Sequence, residues 1–514
     1  MNTKVTINRL CTGVPGLDEV LGGGLPEFSF NLIAGQPGCG KTTLAHQIMF
    51  ALATPERPAL YFTVLGEPPL KMLRYQQQFD FFDTEAVTRS IRFINLSEEA
   101  MAGDLDRVLR RIVEEVTTHG PSLVFVDSFR SVVLASVAQQ SMPNPHTNLQ
   151  SFVQQLGMLM TSWQATTFLI GEYFVETDAN PVFTVADGLI WMRQSVLRNS
   201  VVRKMEVVKM RGQPTLPGLH TFRIDHRGVC VFAPMTALPV HDGMPGSATD
   251  ATALAPAAPA RVSMGVPHLD EMMGGGLPRG YSLLVAGPSG SGKSILAAAF
   301  LAEGARRGET GVIAIFEQHP NRSRNRRVTD LIASGKVAVV DSQAPDLSID
   351  EIVMLLLDEI RRLKATRVVI DSLSSFELAV APTFRDDFRE SMSRLVKAMA
   401  GAGVTMLMTS ELEDRYTDLR FSPYGTAFMT DAIIVQRYIE VDSRLRRVMA
   451  VVKVRASAHS DELREFHIED DGIHIGEKLV DQEGLLGGRP TRKALQGPSL
   501  AGPHPGVADL APPE

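Results

Sequence analysis

Cysteine is nearly absent from this 514-residue chain: only Cys11, Cys39 and Cys230 occur. Three scattered thiols exclude a disulfide scaffold and a four-ligand zinc site. Long apolar runs are missing too. No stretch approaches the roughly 18 uninterrupted apolar residues of a membrane helix, so no membrane partner is expected. The opening, MNTKVTINRLCTGVPGLDEV, lacks the apolar core of a signal peptide. Both absences point to a reduced, cytoplasmic setting. Positive charge is not in excess, since 51 Lys and Arg stand against 58 Asp and Glu. A formal net charge of -7 argues against nucleic acid as the partner. The nearest cationic cluster, RSRNRR at 322–327, reads as a solvated helix face. An apolar fraction of 44 % with 21 % charged residues excludes a mainly disordered, collagenous or coiled-coil chain.

What the chain does contain is a long-period repeat. TGVPGLDEVLGGGLP at 12–26 returns as MGVPHLDEMMGGGLP at 264–278, with eleven of fifteen positions identical at an offset of 252. The same offset carries GQPGCGKT at 35–42 onto GPSGSGKS at 287–294. Later markers match at an offset of 244: FVDS on VIDS, placing Asp127 on Asp371, and VVKMR on VVKVR. A period near 250 residues means two duplicated domains. We expect domains at 1–237 and 260–480, an Ala/Pro/Ser-rich linker at 238–259 and a disordered tail at 481–514.

Within each copy, short apolar runs alternate with segments of helical period. The runs are FNLIAG, ALYFTV, IRFINL, SLVFVD and TTFLIG, then YSLLVAG, GVIAIF, VAVVDS, RVVID and VTMLMTS. Continuous Val/Ile/Leu strands suit a parallel sheet covered on both faces. Segments 104–116 and 348–364 read as amphipathic crossover helices with acidic starts. The fold class is α/β, twice over.

Two loops carry the chemistry. Gly35-Gln36-Pro37-Gly38-Cys39-Gly40-Lys41-Thr42, followed by Thr43, and Gly287-Pro288-Ser289-Gly290-Ser291-Gly292-Lys293-Ser294 both match G-x-x-x-x-G-K-[ST] between a strand and a helix. The glycines let successive N–H groups turn toward phosphate oxygens at a helix N-terminus. Lys41 and Lys293 are expected on the β/γ-phosphates of ATP, with Thr42 and Ser294 on Mg²⁺. Asp127 and Asp371, at strand ends, are the expected acidic elements of the metal shell; capping a following helix is the alternative. Cys39 reads either as a redox-sensitive thiol or as a small residue that the loop tolerates.

These residues resemble the KaiC family of RecA-like ATPases. The G-V-P-x-L-D-E lead-in ahead of each loop, the V-D-S and I-D-S strands and the K-x-R segments carry the resemblance over about 8–235 and 260–480. It implies two tandem RecA-like P-loop domains stacked as rings in a homohexamer, with ATP between subunits. It also implies that Lys209, Arg211, Lys453 and Arg455 reach the adjacent subunit's nucleotide, where a cation in trans stabilises the transferring phosphate. Read without the family, K-x-R is an alternating strand edge. The two-domain clock members further imply a response-regulator, kinase or clock-type protein partner.

The chain departs from the family at three places. Family members carry paired glutamates after the second strand, one of which is thought to act on the attacking water. Aligning Leu65 on Phe316 puts Gly66 and Glu67 at the two positions of the first copy, and Glu317 and Gln318 at those of the second. An alternative register places Glu67 on Glu317. In the first register the second copy is better equipped, because a side chain that cannot accept a proton is no base. The family's Ser-Thr phosphoacceptor pair is replaced by Ala427-Phe428 before Met429-Thr430-Asp431, leaving Thr426 and Thr430 as the nearby hydroxyls. The tail keeps only a short echo at 488–492. The expected function is ATP hydrolysis by a nucleotide-dependent switch or signalling scaffold. A Ser/Thr autokinase and a DNA-acting RecA relative are the competing readings.

Overall fold

The computed structural model describes residues 7–64, 69–101, 104–129, 145–174, 181–197, 200–233, 260–316, 326–341, 347–380, 388–412, 428–441, 443–478, 482–483 and 491–492. By contact the chain divides into two compact units, one of 1–255, 340–362 and 375–402, the other of 256–339, 363–374 and 403–514. The expected linker at 238–259 lies outside the described residues.

The first sheet is assembled from β1 (Phe30–Gly35), β2 (Ala59–Thr63), β3 (Ile91–Asn95), β4 (Leu123–Asp127), β5 (Thr166–Glu172), β6 (Gly188–Leu197), β7 (Ser200–Met210), β8 (His220–Asp225) and β9 (Gly228–Phe232). Its order is β9-β8-β7-β6-β1-β5-β4-β2-β3. From β3 to β6 all neighbours run parallel, as continuous apolar strands lead one to expect. Alternate β1 residues serve opposite faces. Ile33 packs with Leu44, Ile48 and Met49 of helix α1 (Lys41–Leu52). Leu32 and Ala34 join Val108, Ile112 and Val116 of α2 (Leu105–His119), and Phe152, Leu156 and Met160 of α3 (Pro145–Ser162). Both faces of β1 are therefore closed to water.

The sequence reading did not anticipate the antiparallel extension. β6, β7, β8 and β9 pair antiparallel, and β8 turns into β9 through His226-Arg227 ahead of Gly228, whose φ is 105°. The burial pattern of β7 alternates, as a sheet with one open face requires.

The second sheet repeats this plan with β10 (Ser282–Gly287), β11 (Gly311–Ile315), β12 (Val337–Asp341), β13 (Arg367–Asp371), β14 (Thr405–Glu411), β15 (Ala432–Val441), β16 (Arg444–Val454), β17 (Arg464–Glu469) and β18 (Gly472–Lys478). Its order, β12-β11-β13-β14-β10-β15-β16-β17-β18, is that of the first sheet strand for strand. Helix α4 (Lys293–Arg306) follows β10 and buries Leu296 and Phe300 with Val285, Ile313 and Val369. The helix expected at 348–364 is α5 (Ile349–Leu363). Within the tail expected to be disordered, Gln482–Glu483 pairs antiparallel with Thr491–Arg492.

Candidate active site

Each P-loop ends in a helix that opens without the usual cap. Gly40, at φ 102°, precedes α1, and Gly292, at φ 104°, precedes α4; neither offers a side-chain hydrogen bond, and neither first turn holds an acid. Helix α2 shows the ordinary alternative, with the Asp104 carboxylate accepting from the N–H groups of Asp106 and Arg107. The opening amides of α1, and those of Lys293 and Ser294 in α4, thus keep their donors for an outside anion, while Ile295 N–H closes on the Gly292 carbonyl at 3.1 Å. Glycine is required there twice over, by its positive φ and by space. A Cβ on Gly40 would stand 2.4 Å from Ile224 Cδ1, and one on Gly292 2.7 Å from Ile468 Cδ1.

The loop lysines fold back over these cradles. Lys41 Nζ donates to the Gln36 carbonyl at 2.8 Å, and Lys293 Nζ to the carbonyls of Gly287 and Pro288 at 2.9 and 2.8 Å. Burial pulls the Lys293 ammonium below its ordinary value, opposed by Glu411 and Asp371. Cys39 faces inward with Sγ 3.9 Å from Lys41 Nζ, and burial raises its thiol pKa, so it offers the loop its main chain. Ser291, its counterpart, donates to Gln436 Oε1 at 3.1 Å.

The strand-end acids are held differently in the two copies. Asp127 Oδ2 accepts from Thr42 Oγ1 at 2.7 Å and from the Tyr61 hydroxyl at 2.8 Å. Burial raises the Asp127 pKa, while these two hydrogen bonds and Lys41 pull it down. A hydroxyl beside a carboxylate is a hard oxygen donor set that fits Mg²⁺. In the second copy Asp371 accepts from Thr409 Oγ1, not from Ser294, which is exposed on the first turn of α4. Sequence reasoning gave Tyr61 and Thr409 no role at the aspartates, although Met408-Thr409-Ser410-Glu411 resembles a T-T-E strand of the family. The one available signal was a hydroxyl interrupting an apolar strand.

The K-x-R cations lie at the other end of the sheet. β6 runs parallel to β1 with Gly35 opposite Met192, and β7 returns with Leu189 opposite Lys209. Three residues of strand, roughly 10 Å, separate Met192 from the level of Lys209. Lys209 Nζ donates to the carbonyls of Phe183 and Thr184 at 2.8 and 3.2 Å, and Arg211 pairs with Asp187 at 3.1 Å. The second copy does the same. Lys453 Nζ donates to the Thr430 carbonyl at 2.6 Å, and Arg455 pairs with Asp431 at 3.2 Å. Burial lowers the pKa of both lysines, and the neighbouring arginine adds to it.

Two strand–loop–helix cradles, each with a lysine and a strand-end acid, recur in one chain, and a family model described as "ATPase: KaiC" matches residues 10–236 and 262–480. The chain belongs to the KaiC ATPase family. It is 26 % identical over 509 residues to the circadian clock oscillator protein KaiC of Rippkaea orientalis, covering 96 % of this chain and 93 % of that protein. It is 26 % identical over 507 residues to the circadian clock protein KaiC3 of Synechocystis, covering 94 % and 95 %. The KaiC of Picosynechococcus is 26 % identical over 525 residues, covering 99 % and 97 %.

Against that KaiC background, Glu67 and Glu317 lie outside the described residues, as do Thr426 and Ala427. The strands leading to the glutamates are described. Thr63 pairs with Asp127 and Ile315 with Asp371, which sets Thr63 level with Ile315. Of the basic cluster, Arg327 donates to the Asp471 carbonyl and the adjoining Val328 is buried, so that helix is anchored on one side.

Proposed function

We propose that this KaiC-family chain is a cytoplasmic, ATP- and Mg²⁺-dependent homohexameric ATPase, working as a nucleotide-dependent switch that a protein partner reads. One observation carries the reading: both P-loop helices begin with uncapped amides beside an inward-folded lysine, buried in the first copy and half-buried in the second, and a strand-end aspartate, twice in one chain. Lys41 and Lys293 hold the β/γ-phosphates. Thr42 with Asp127, and Ser294 with Asp371, hold Mg²⁺, whose charge offsets that of the transferring phosphate. Lys209, Arg211, Lys453 and Arg455, which stand at the sheet end away from their own loops, act on a neighbour's nucleotide. Their carbonyl and carboxylate partners fix the direction in which they project. Glu67 and Glu317 are the candidate groups that orient water. The relatives' names attach the family to circadian clocks, and a switch read by a partner is the function proposed here for this chain. An autokinase draws no support, because Phe428 holds an acceptor position without a hydroxyl.

Steady-state phosphate release tests the proposal in the wild type, Lys41→Ala, Lys293→Ala and the double variant. Each single variant is expected to lose the share of its own ring, and the double variant to be inactive. Mass measurement with and without ATP·Mg²⁺ is expected to show nucleotide-dependent hexamers. Equal release by wild type and double variant would refute the enzyme reading.

A further inference from the structure

The two copies orient the same carboxylate from opposite sides. In the first, the donor beyond the P-loop is Tyr61 on β2, whose hydroxyl meets Asp127 Oδ2 at 2.8 Å. In the second it is Thr409 on β14. The strand that carries the aspartate, β4 or β13, has these two neighbours on opposite edges: β2 and β5 in the first sheet, β11 and β14 in the second. Register shows what replaces each donor. Tyr61 stands opposite Phe125, and its counterpart opposite Val369 is Ile313, which cannot donate. Ile170 stands opposite Asp127 on β5, the side on which the second copy uses Thr409.

Neither donor is free to wander. Tyr61 is fully buried, with the His46 ring 4.7 Å away, Phe93 at 5.4 Å and Phe125 stacked at 6.0 Å. Thr409 is fully buried on a central parallel strand. A buried tyrosine hydroxyl needs a partner, and this one meets the carboxylate oxygen that also accepts from Thr42. Two donors on Oδ2 restrain the orientation of the Asp127 carboxylate. Lys41 and Glu172 are the charged groups that act on the same carboxylate.

We propose that Tyr61 and Thr409 are positioning residues, one for each ring, that set the plane of the metal-shell aspartate so that Mg²⁺ is bound with its nucleotide. This rests on the ATP·Mg²⁺ reading of the loops. It also makes the two sites differ in construction although their loops are alike, since each depends on a hydroxyl that the other lacks.

The test uses the full-length chain carrying Lys293→Ala, so that the first site is read alone. Calorimetry follows ATP uptake in excess chelator and then across a Mg²⁺ titration. Tyr61→Phe is expected to leave chelator-condition binding in place and to raise the half-saturating Mg²⁺ about tenfold, the size of one hydrogen bond to a charged acceptor. Adding Ile170→Thr, which supplies a hydroxyl from the side used by the second copy, is expected to recover a substantial part of that shift. An unchanged Mg²⁺ half-saturation overturns the proposal. So does an equal loss with and without Mg²⁺, which would assign Tyr61 to packing alone. If the Lys293→Ala parent takes up no ATP, the underlying reading fails first, and visibly so. Should Tyr61→Phe not fold, Thr409→Val in a Lys41→Ala chain puts the same question to the second site.

Discussion

His46 makes the first repeat acid-sensitive in a way that the second repeat cannot be. It lies on α1, is completely buried, and packs against Tyr61 and Phe93. Burial pulls its imidazole down to about 4, partly opposed by the Gln76 side chain. The unfolded chain takes up a proton near 6.5, whereas the folded chain resists it until about 4. The stability is therefore complete above about pH 6.5 and declines as pH falls, until the folded ring protonates too. Between about 6.5 and about 4, at roughly 1.4 kcal/mol per pH unit, the loss amounts to about 3 kcal/mol, of which about 2 kcal/mol has gone by pH 5. The 252-residue offset places Ala298 at the matching position, so the second repeat has no imidazole there. The assay is built into the molecule. Its two tryptophans, Trp163 and Trp191, both belong to the first repeat. Urea unfolding followed by their fluorescence at about pH 7.5 and pH 5 compares wild type with His46→Leu. Wild type is expected to lose about 2 kcal/mol more than the variant over that interval, because shared titrations cancel. Parallel losses in both proteins would refute the reasoning.

Two other predictions concern structure. Arg367 is 1 % exposed, paired with Glu309 at 2.6 Å, hydrogen-bonded to the carbonyls of Ser263 and Phe300, and set over the Phe300 ring at 4.6 Å. Arg367→Ala leaves Glu309 to Arg279 and takes the donor from two carbonyls, so thermal unfolding by circular dichroism should show a loss of about 2–4 kcal/mol; a change below about 1 kcal/mol would contradict it. Gly40→Ala forces a side chain onto a φ of 102° with its Cβ 2.4 Å from Ile224. It is expected to keep the far-ultraviolet spectrum while weakening ATP uptake about tenfold by calorimetry, and undiminished uptake would show that the loop tolerates the strain.

Much of this protein is legible along the chain. The loops announce themselves because glycine at φ above 70° and a lysine at the helix start are local demands, met within eight residues. The parallel core is legible because β1 and β4 are buried on both faces and cannot alternate polar with apolar residues. The antiparallel extension was harder to see, since β7 mixes burial with exposure over eleven residues and resembles a surface segment. The ladder also fixes the register of the strands that lead to the glutamates, with Thr63 on Asp127 and Ile315 on Asp371.

By itself, the order of residues determined the duplication, the two phosphate cradles and the α/β class, because each rests on short-range backbone geometry or on the period of burial. The tertiary structure decided which hydroxyl holds each aspartate and at which end of the sheet the K-x-R cations stand. Tyr61 and Asp127 are 66 residues apart, and Thr409 and Asp371 are 38 apart. Contacts of that range depend on which strands lie side by side and in what register, and only the folded sheet settles both.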